Sequence, residues 1–233
     1  MPVTDTGQGG TLARTHEGKP GLPRGRSRLP LSAVRASQRE RRLRSVIAAV
    51  SESGYLAVTV ADIVRRARVS RAAFYDHFAD KDDCFLAATA EGRDLMVAQV
   101  VSATRALPAE ACDEHVLRVA CRAYLTFLAG EPAFARVFYI HMPTAGPRAV
   151  DRLDAGSGLF AELNRQWHQR AREHHPEWPS VPSEAYLALA GATAELVRSM
   201  VRAGRTADLP GLEETLVSLH LAVLAARPWP PGT

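Results

Sequence analysis

The side chains with the clearest chemical purpose lie in one short stretch near residue 70. Arg71 and Tyr75 are four residues apart, a spacing that sets two side chains on one face of a helix, and His77 lies near them. An arginine so placed can donate to a guanine edge or to phosphate, while a tyrosine hydroxyl and an imidazole suit phosphate oxygens. Phe74 and Phe78 repeat the four-residue spacing on a neighbouring face and can anchor such a helix from beneath. This chemistry is recognition, not bond making. The sequence holds no Walker-type loop, no Gly-x-Gly-x-x-Gly after a strand, no His-Glu-x-x-His and no paired-cysteine zinc motif. Ala155-Gly156-Ser157-Gly158 falls short of Gly-x-Ser-x-Gly and lacks a strand before it. Cys84, Cys112 and Cys121 are an odd number at unremarkable spacing and read as reduced thiols. His174-His175 reads as a solvated helix end. The expectation is a protein that is not an enzyme and needs neither cofactor nor metal.

The elements that must hold Arg71 and Tyr75 in place follow from periodicity. Leu43, Val46, Ile47 and Val50 recur at three and four residues, with Arg39, Glu40, Arg41, Arg42 and Arg44 assigned mainly to the other faces. Gly54 is a stop signal for this first helix. Thr59-Val-Ala-Asp62 starts a second, short helix to about Arg66, with aspartate in the usual Glu/Gln place of a capping box. Ser70 is a natural N-cap for a third helix, expected over about residues 71–78. Asp80 caps a fourth, with Asp82 and Asp83 in its first turn. Ile63 and Ala67, with Phe74 and Phe78, can pack beneath the first helix. Two short helices joined by a tight turn after a longer basic helix make a helix-turn-helix. Long helices are expected beyond it, over about residues 81–105, 110–129, 132–141, 149–173, 184–203 and 211–226. The predicted fold class is all-α: an N-terminal three-helix DNA-binding domain and a larger helical domain, to which the family resemblance of residues 35–88 assigns ligand binding and dimerisation.

Charge is distributed in keeping with that division. The chain's formal net charge is +4. Residues 1–34 carry five basic against two acidic side chains, residues 35–81 ten against five, and residues 82–233 fourteen against eighteen. The excess of positive charge therefore falls on the N-terminal third, as it would for a nucleic-acid-binding head. Arginine outnumbers lysine 27 to 2, which reads as codon bias of a GC-rich, bacterial genome. Residues 1–33 are rich in glycine and proline and are expected to be a disordered basic tail. Arg24, Arg26 and Arg28 either trail along DNA or are simply solvated. No apolar run reaches membrane-spanning length and no secretory h-region opens the chain, so a cytoplasmic, nucleoid-associated protein is expected. The division expected is 1–33 tail, 34–81 helix-turn-helix, 82–227 ligand-sensing and dimerising domain, and 228–233 a frayed end, from which Trp229 could dock on the body.

The segment from Thr59 to Lys81, TVADIVRRARVSRAAFYDHFADK, with the Gly54-Tyr55 that ends the first helix, resembles the signature of the TetR family of bacterial regulators. The likeness covers about residues 35–88, roughly a quarter of the chain. It implies that Thr59 touches phosphate, that Arg71, Ala72 and Ala73 read bases, that Tyr75 and His77 bond phosphate, and that Lys81 sets its charge on the DNA backbone. Arg35 and Arg39 on the first helix, and Ser70 in the turn, complete the candidate DNA contacts. Two departures matter. Arg68 stands where the family often has glycine, and a left-handed residue there would cost on the order of 1 kcal/mol. Ala72 and Ala73 replace a common Gly-Thr pair, which favours methyl contacts to thymine over hydrogen bonds.

The same resemblance implies a homodimer on a double-stranded, palindromic operator, released by a small apolar or amphipathic effector as helix four tilts. The last two long helices would pair with their mates, and Leu189, Leu196, Met200, Leu216, Leu219 and Val223 are the candidate interface; such stripes can equally face their own core. Candidate effector contacts are Tyr124, Phe127, Phe134, Phe138, His141, Trp167, Tyr186 and Glu195, any of which can be plain core, with Glu195 either a polar anchor or an exposed position. The alternatives are a helical interaction module without DNA binding, and an activator of the same fold.

Overall fold

Helix ends in the first third of the chain are written in local chemistry. The computed structural model describes residues 10–14 and 31–225, with the backbone alone for 31–38. Helix α1 (Leu31–Ser53) stops at Gly54, whose φ of 81° is the left-handed conformation that glycine adopts without strain. Helix α2 (Val60–Ala67) opens on a complete capping box between Thr59 and Asp62. Helix α3 is shorter than its periodicity predicts, Arg71–Tyr75, because Asp76 and His77 close into a turn rather than a further helical residue pair. Helix α4 (Lys81–Arg105) starts where Asp80 accepts from Asp83 N–H at 2.7 Å.

The remaining elements are α5 (Asp113–Gly130), α6 (Pro132–Arg136), α7 (Pro147–His174), α8 (Ser183–Arg202) and α9 (Glu213–Leu224). The single helix expected over residues 132–141 is broken. After α6 the chain widens into a π turn, Val137–His141, closed by Met142 N–H reaching back to Val137 C=O, and Pro143 then removes the next donor. A 3₁₀ turn, Thr206–Leu212, replaces the first residues expected of the last helix. No strand occurs among the described residues. The chain is all-α, with an N-terminal helix-turn-helix followed by helical structure.

Two compact units divide the chain: residues 1–94 with 131–149, and residues 95–130 with 150–233. In the first, α1 packs against α2, α6 and the π turn. Its buried centre is Val46, Ile47 and Val50 of α1, Ile63 and Ala67 of α2, Phe74 of α3, Phe78 and Phe85. In the second, α5 packs on α9 and the 3₁₀ turn, and α8 on both, over Leu117, Leu125, Val197, Leu209 and Leu216.

Residues 10–14, which composition assigns to a disordered tail, form a turn held by Glu131. That buried carboxylate accepts from Thr11 N–H at 2.7 Å, Thr11 Oγ1–H at 2.6 Å and Leu12 N–H at 2.9 Å. A carboxylate this well bonded fixes a segment that apolar burial alone could not. Residues 31–33, at the end of the expected tail, already belong to α1. The rest of that tail, with Arg24, Arg26 and Arg28, and the C-terminal end with Trp229 lie outside the described residues.

Candidate nucleic-acid interface

Helix α3 is held at its start and from below. At its start Ser70 Oγ accepts from Ala73 N–H at 3.0 Å. Beneath it, Phe74 and Phe78 are buried with ring centroids 5.6 Å apart. That leaves Arg71 and Ala72 exposed, Ala73 half-buried, and Tyr75 on the same face as Arg71 with 51% of its surface open. Tyr75 stands edge-on to Phe74 with ring centroids 5.4 Å apart, a contact that helps fix the ring. An exposed arginine with a tyrosine one turn on, on a short helix with a braced back, is a fitting surface for a major groove.

The turn before α3 is built by two local bonds. Arg68 adopts φ 53° and ψ 46°, the left-handed conformation, and among the described residues is the sole non-glycine at positive φ. Its N–H donates to Arg65 C=O at 3.3 Å and Val69 N–H to Val64 C=O at 3.1 Å, the double bond pattern that closes a helix C-terminus. At the other end of α2, Asp62 accepts from Thr59 Oγ1–H at 2.7 Å and Thr59 N–H at 3.1 Å. These bonds from Thr59 hold the Asp62 carboxyl below the usual carboxylate range. Thr59 is itself exposed, although its hydroxyl proton is committed to Asp62.

Lys81 and Arg39 are less free than their sequence positions suggest. Lys81 is half-buried, donates to Tyr55 C=O at 3.0 Å and sits 4.1 Å from the Tyr55 ring centre. An ammonium has three donors, so two remain for phosphate. Arg39 pairs with Glu91 at 3.0 Å. His77 is half-buried. The side chain of Arg35 lies outside the described residues. Arg42 is a correction: assigned to an outer face, it is fully buried and donates to Ala73 C=O at 3.0 Å. The missed signal was its place four residues before Val46, on the apolar stripe itself.

The expected effector contacts fall in both units. Phe134, Phe138 and His141 belong to the first unit, the other five to the second. Phe134 is buried against Gly92, where a Cβ would stand 2.2 Å from the ring, so this pair requires glycine. Tyr124 is buried beside Phe160, Phe127 is half-buried, and Trp167 donates to Asp113 C=O at 3.1 Å. Tyr186 is buried with its hydroxyl 2.9 Å from His168 Nδ1. Glu195 is exposed and paired with Arg198 on its own helix at 2.6 Å, so it anchors nothing inside. A cleft of about 550 Å³ in the second unit is lined by other residues, among them Cys112, Asp113, His175, Trp178 and Leu221. There His174 Nδ1 lies 3.0 Å from Asp113, and His175 stacks on Trp178 at 4.5 Å, more structure than a solvated helix end implies.

Of the expected interface stripe, Leu189 and Leu216 are buried within the chain's own core, and Leu219 and Val223 pack against the cluster of Tyr186, Leu189 and Leu224. Leu196 and Met200 are half-buried. The open face of α8 carries Leu187, 51% exposed, with Ala188 and Gly191. No helix among the described residues is long and apolar enough to cross a membrane.

Comparison with known proteins agrees with this architecture. Residues 47–88 match the profile of the bacterial regulatory proteins of the tetR family. No curated protein matches the chain. Among solved structures, the fatty acid degradation regulator FadR from Bacillus halodurans superposes with a TM-score of 0.70 at 18% identity, over 79% of this chain and 94% of that one. FadR from Bacillus subtilis, solved in complex with stearoyl-CoA, gives a TM-score of 0.69 at 15% identity, over 78% and 97%. A TetR-like transcriptional regulator from Rhodococcus sp. RHA1 gives 0.61 at 22% identity, over 84% and 99%. At these identities the likeness is one of fold.

Proposed function

From a chain whose residues 47–88 carry the tetR-family signature, and whose described structure has the TetR-regulator fold, we propose a ligand-responsive transcriptional regulator that grips operator DNA through α3. One observation supports this above the others: α3 presents Arg71 and Tyr75 outward while Ser70, Phe74 and Phe78 fix it from the other sides. Arg71 donates to base edges or phosphate, Ala72 and Ala73 offer methyl contacts, and Thr59, Ser70, Tyr75, His77 and Lys81 meet the backbone. Arg39 contributes if phosphate displaces Glu91, and Arg35 is a further basic residue to test.

The functional unit is a homodimer on a palindromic operator, since one short helix reads too few bases for specific binding. Its interface is the open face of α8, where Leu187, Ala188 and Gly191 permit close helix approach. The effector is apolar or amphipathic, a class that includes the stearoyl-CoA held by the Bacillus subtilis neighbour. Tyr124, Phe127, Trp167 and Tyr186 are the lining to test. Effector binding favours a form with lower operator affinity, which makes the protein a repressor of the genes beside its operator.

The test is a gel shift with the DNA upstream of its own gene, across a salt series. Saturable retention that weakens with salt, and is weaker in Arg71→Ala, supports the reading. A folded chain that retains no duplex at low salt would falsify it, leaving a helical interaction module in its place.

A further inference from the structure

A five-residue helix cannot hold itself in water, so the position of α3 is set by what surrounds it. Its start is fixed by Ser70. Its end is unusual. His77 N–H and Phe78 N–H both turn to Phe74 C=O, at 3.1 and 3.0 Å, and Ala73 C=O takes a donor from another helix. That donor is Arg42 Nη1, reaching from α1 at 3.0 Å.

The surroundings of Arg42 are costly for a cation. The residue is fully buried, its guanidinium carbon is 5.9 Å from the Phe78 ring centre, and its Nε and Nη2 have no hydrogen-bond partner. Burial lowers its pKa, the neighbouring charges of Arg41 and Arg39 lower it further, and Cys84 and Asp76 act the other way. An unbranched apolar side chain would fill this space with no unsatisfied N–H group, and such replacements are commonly neutral or stabilising. What only the arginine supplies is a directed bond to one carbonyl of the recognition helix. That carbonyl belongs to Ala73, beside Ala72, two residues that can discriminate bases only by methyl contact. Methyl contacts carry no directional bond of their own, so they depend on how accurately the helix is placed.

We propose that Arg42 is a positioning residue for DNA reading: through the Ala73 carbonyl it fixes the rotation and depth of α3, so that Arg71 and Ala72 meet base edges in one register. This rests on the DNA-binding reading above. It predicts that stability and specificity separate when Arg42 is replaced by a flexible apolar residue of similar length.

The experiment compares wild type with Arg42→Met on two duplexes, one selected by the wild type from a random library and one scrambled from it. Three readouts are taken: thermal melting, the affinity ratio between the duplexes, and amide exchange. Arg42→Met should melt at or above the wild-type temperature and keep its salt-sensitive affinity for the scrambled duplex. Its affinity ratio should fall on the order of tenfold. Its amides at Ala72–His77 should exchange faster while those at Phe85–Thr89 do not. An unchanged ratio overturns the proposal. So does a variant that melts well below wild type, because Arg42 would then be a folding residue. A wild type that selects no duplex removes the DNA-binding reading itself, a result distinct from an Arg42→Met that selects as the wild type does.

Discussion

The helix-turn-helix and the pair α5–α9 solve the same problem, fixing helices against one another, by opposite means. Around α2 and α3 each helix start is fixed locally: Thr59 bonds Asp62, Ser70 bonds Ala73 N–H, and Asp80 bonds Asp83 N–H. In the second unit α8 and α9 begin at Pro182 and Leu212 with no side-chain cap. There α5 is tied to α9 by ion pairs between residues about ninety positions apart: Arg122 to Glu213 through two bonds of 2.7 Å, and Arg118 to Glu214. Local caps define a helix wherever it lies, and suit a surface that must present the same geometry to every operator. Distant pairs define how two helices meet, and suit a body free to vary in sequence around a common fold.

Four changes would break or sharpen that contrast. The largest effect is expected from Phe74→Ala, which empties the space beneath α3. A loss of about 3–5 kcal/mol should appear in thermal or urea unfolding. Next is Arg71→Ala, expected to lower operator affinity by about 10–100-fold while unfolding stays within about 0.5 kcal/mol of wild type. A matching loss of stability would show that Arg71 braces the fold instead of reading DNA. Third, Arg68→Gly removes the one strained residue in the turn and should raise stability by about 1 kcal/mol, read as a higher melting temperature.

The smallest effect is expected on the distant-pair side. Arg122→Ala should lower the melting temperature only slightly, since the Arg122 side chain is more than half exposed and solvent screens the pair. It should also change the acid response. Bonds from Arg122 hold the Glu213 carboxyl below its ordinary value. A depressed carboxylate stabilises the fold above its unfolded pKa of about 4.3 and loses that contribution as pH falls through its folded value. Wild type and Arg122→Ala should therefore differ near neutrality and converge in acid. Parallel curves down to acid pH would assign the effect of Arg122 to packing.

This contrast also sets how far the sequence is legible. Thr59, Ser70 and Asp80 lie within four residues of the groups they bond, so the helix starts they define could be read directly from spacing. So could the burial of Phe74 and Phe78. The left-handed turn was legible as a question, because Arg68 stands in a place that asks for glycine. Arg42 was not read correctly, because its charge outweighed its position on the apolar stripe. The turn at residues 10–14 depends on Glu131, about 120 positions away, and nothing in its glycine-rich composition announces that partner. The helical stripes of α8 and α9 showed that these helices bury a face but not against what. Leu189 and Leu216 went to the chain's own core and Leu187 was left open. For the expected effector contacts the same holds: aromatic type marks a core residue and a lining residue alike.

The central claim is that α3 reads base sequence. It is tested most directly by selecting duplexes from a random library with the full-length chain and with Arg71→Ala in parallel. The account predicts that the wild type enriches a motif with two-fold symmetry, and that Arg71→Ala loses part or all of that motif while remaining folded. A folded wild type that enriches no sequence, or an Arg71→Ala that enriches the same motif equally well, would contradict it.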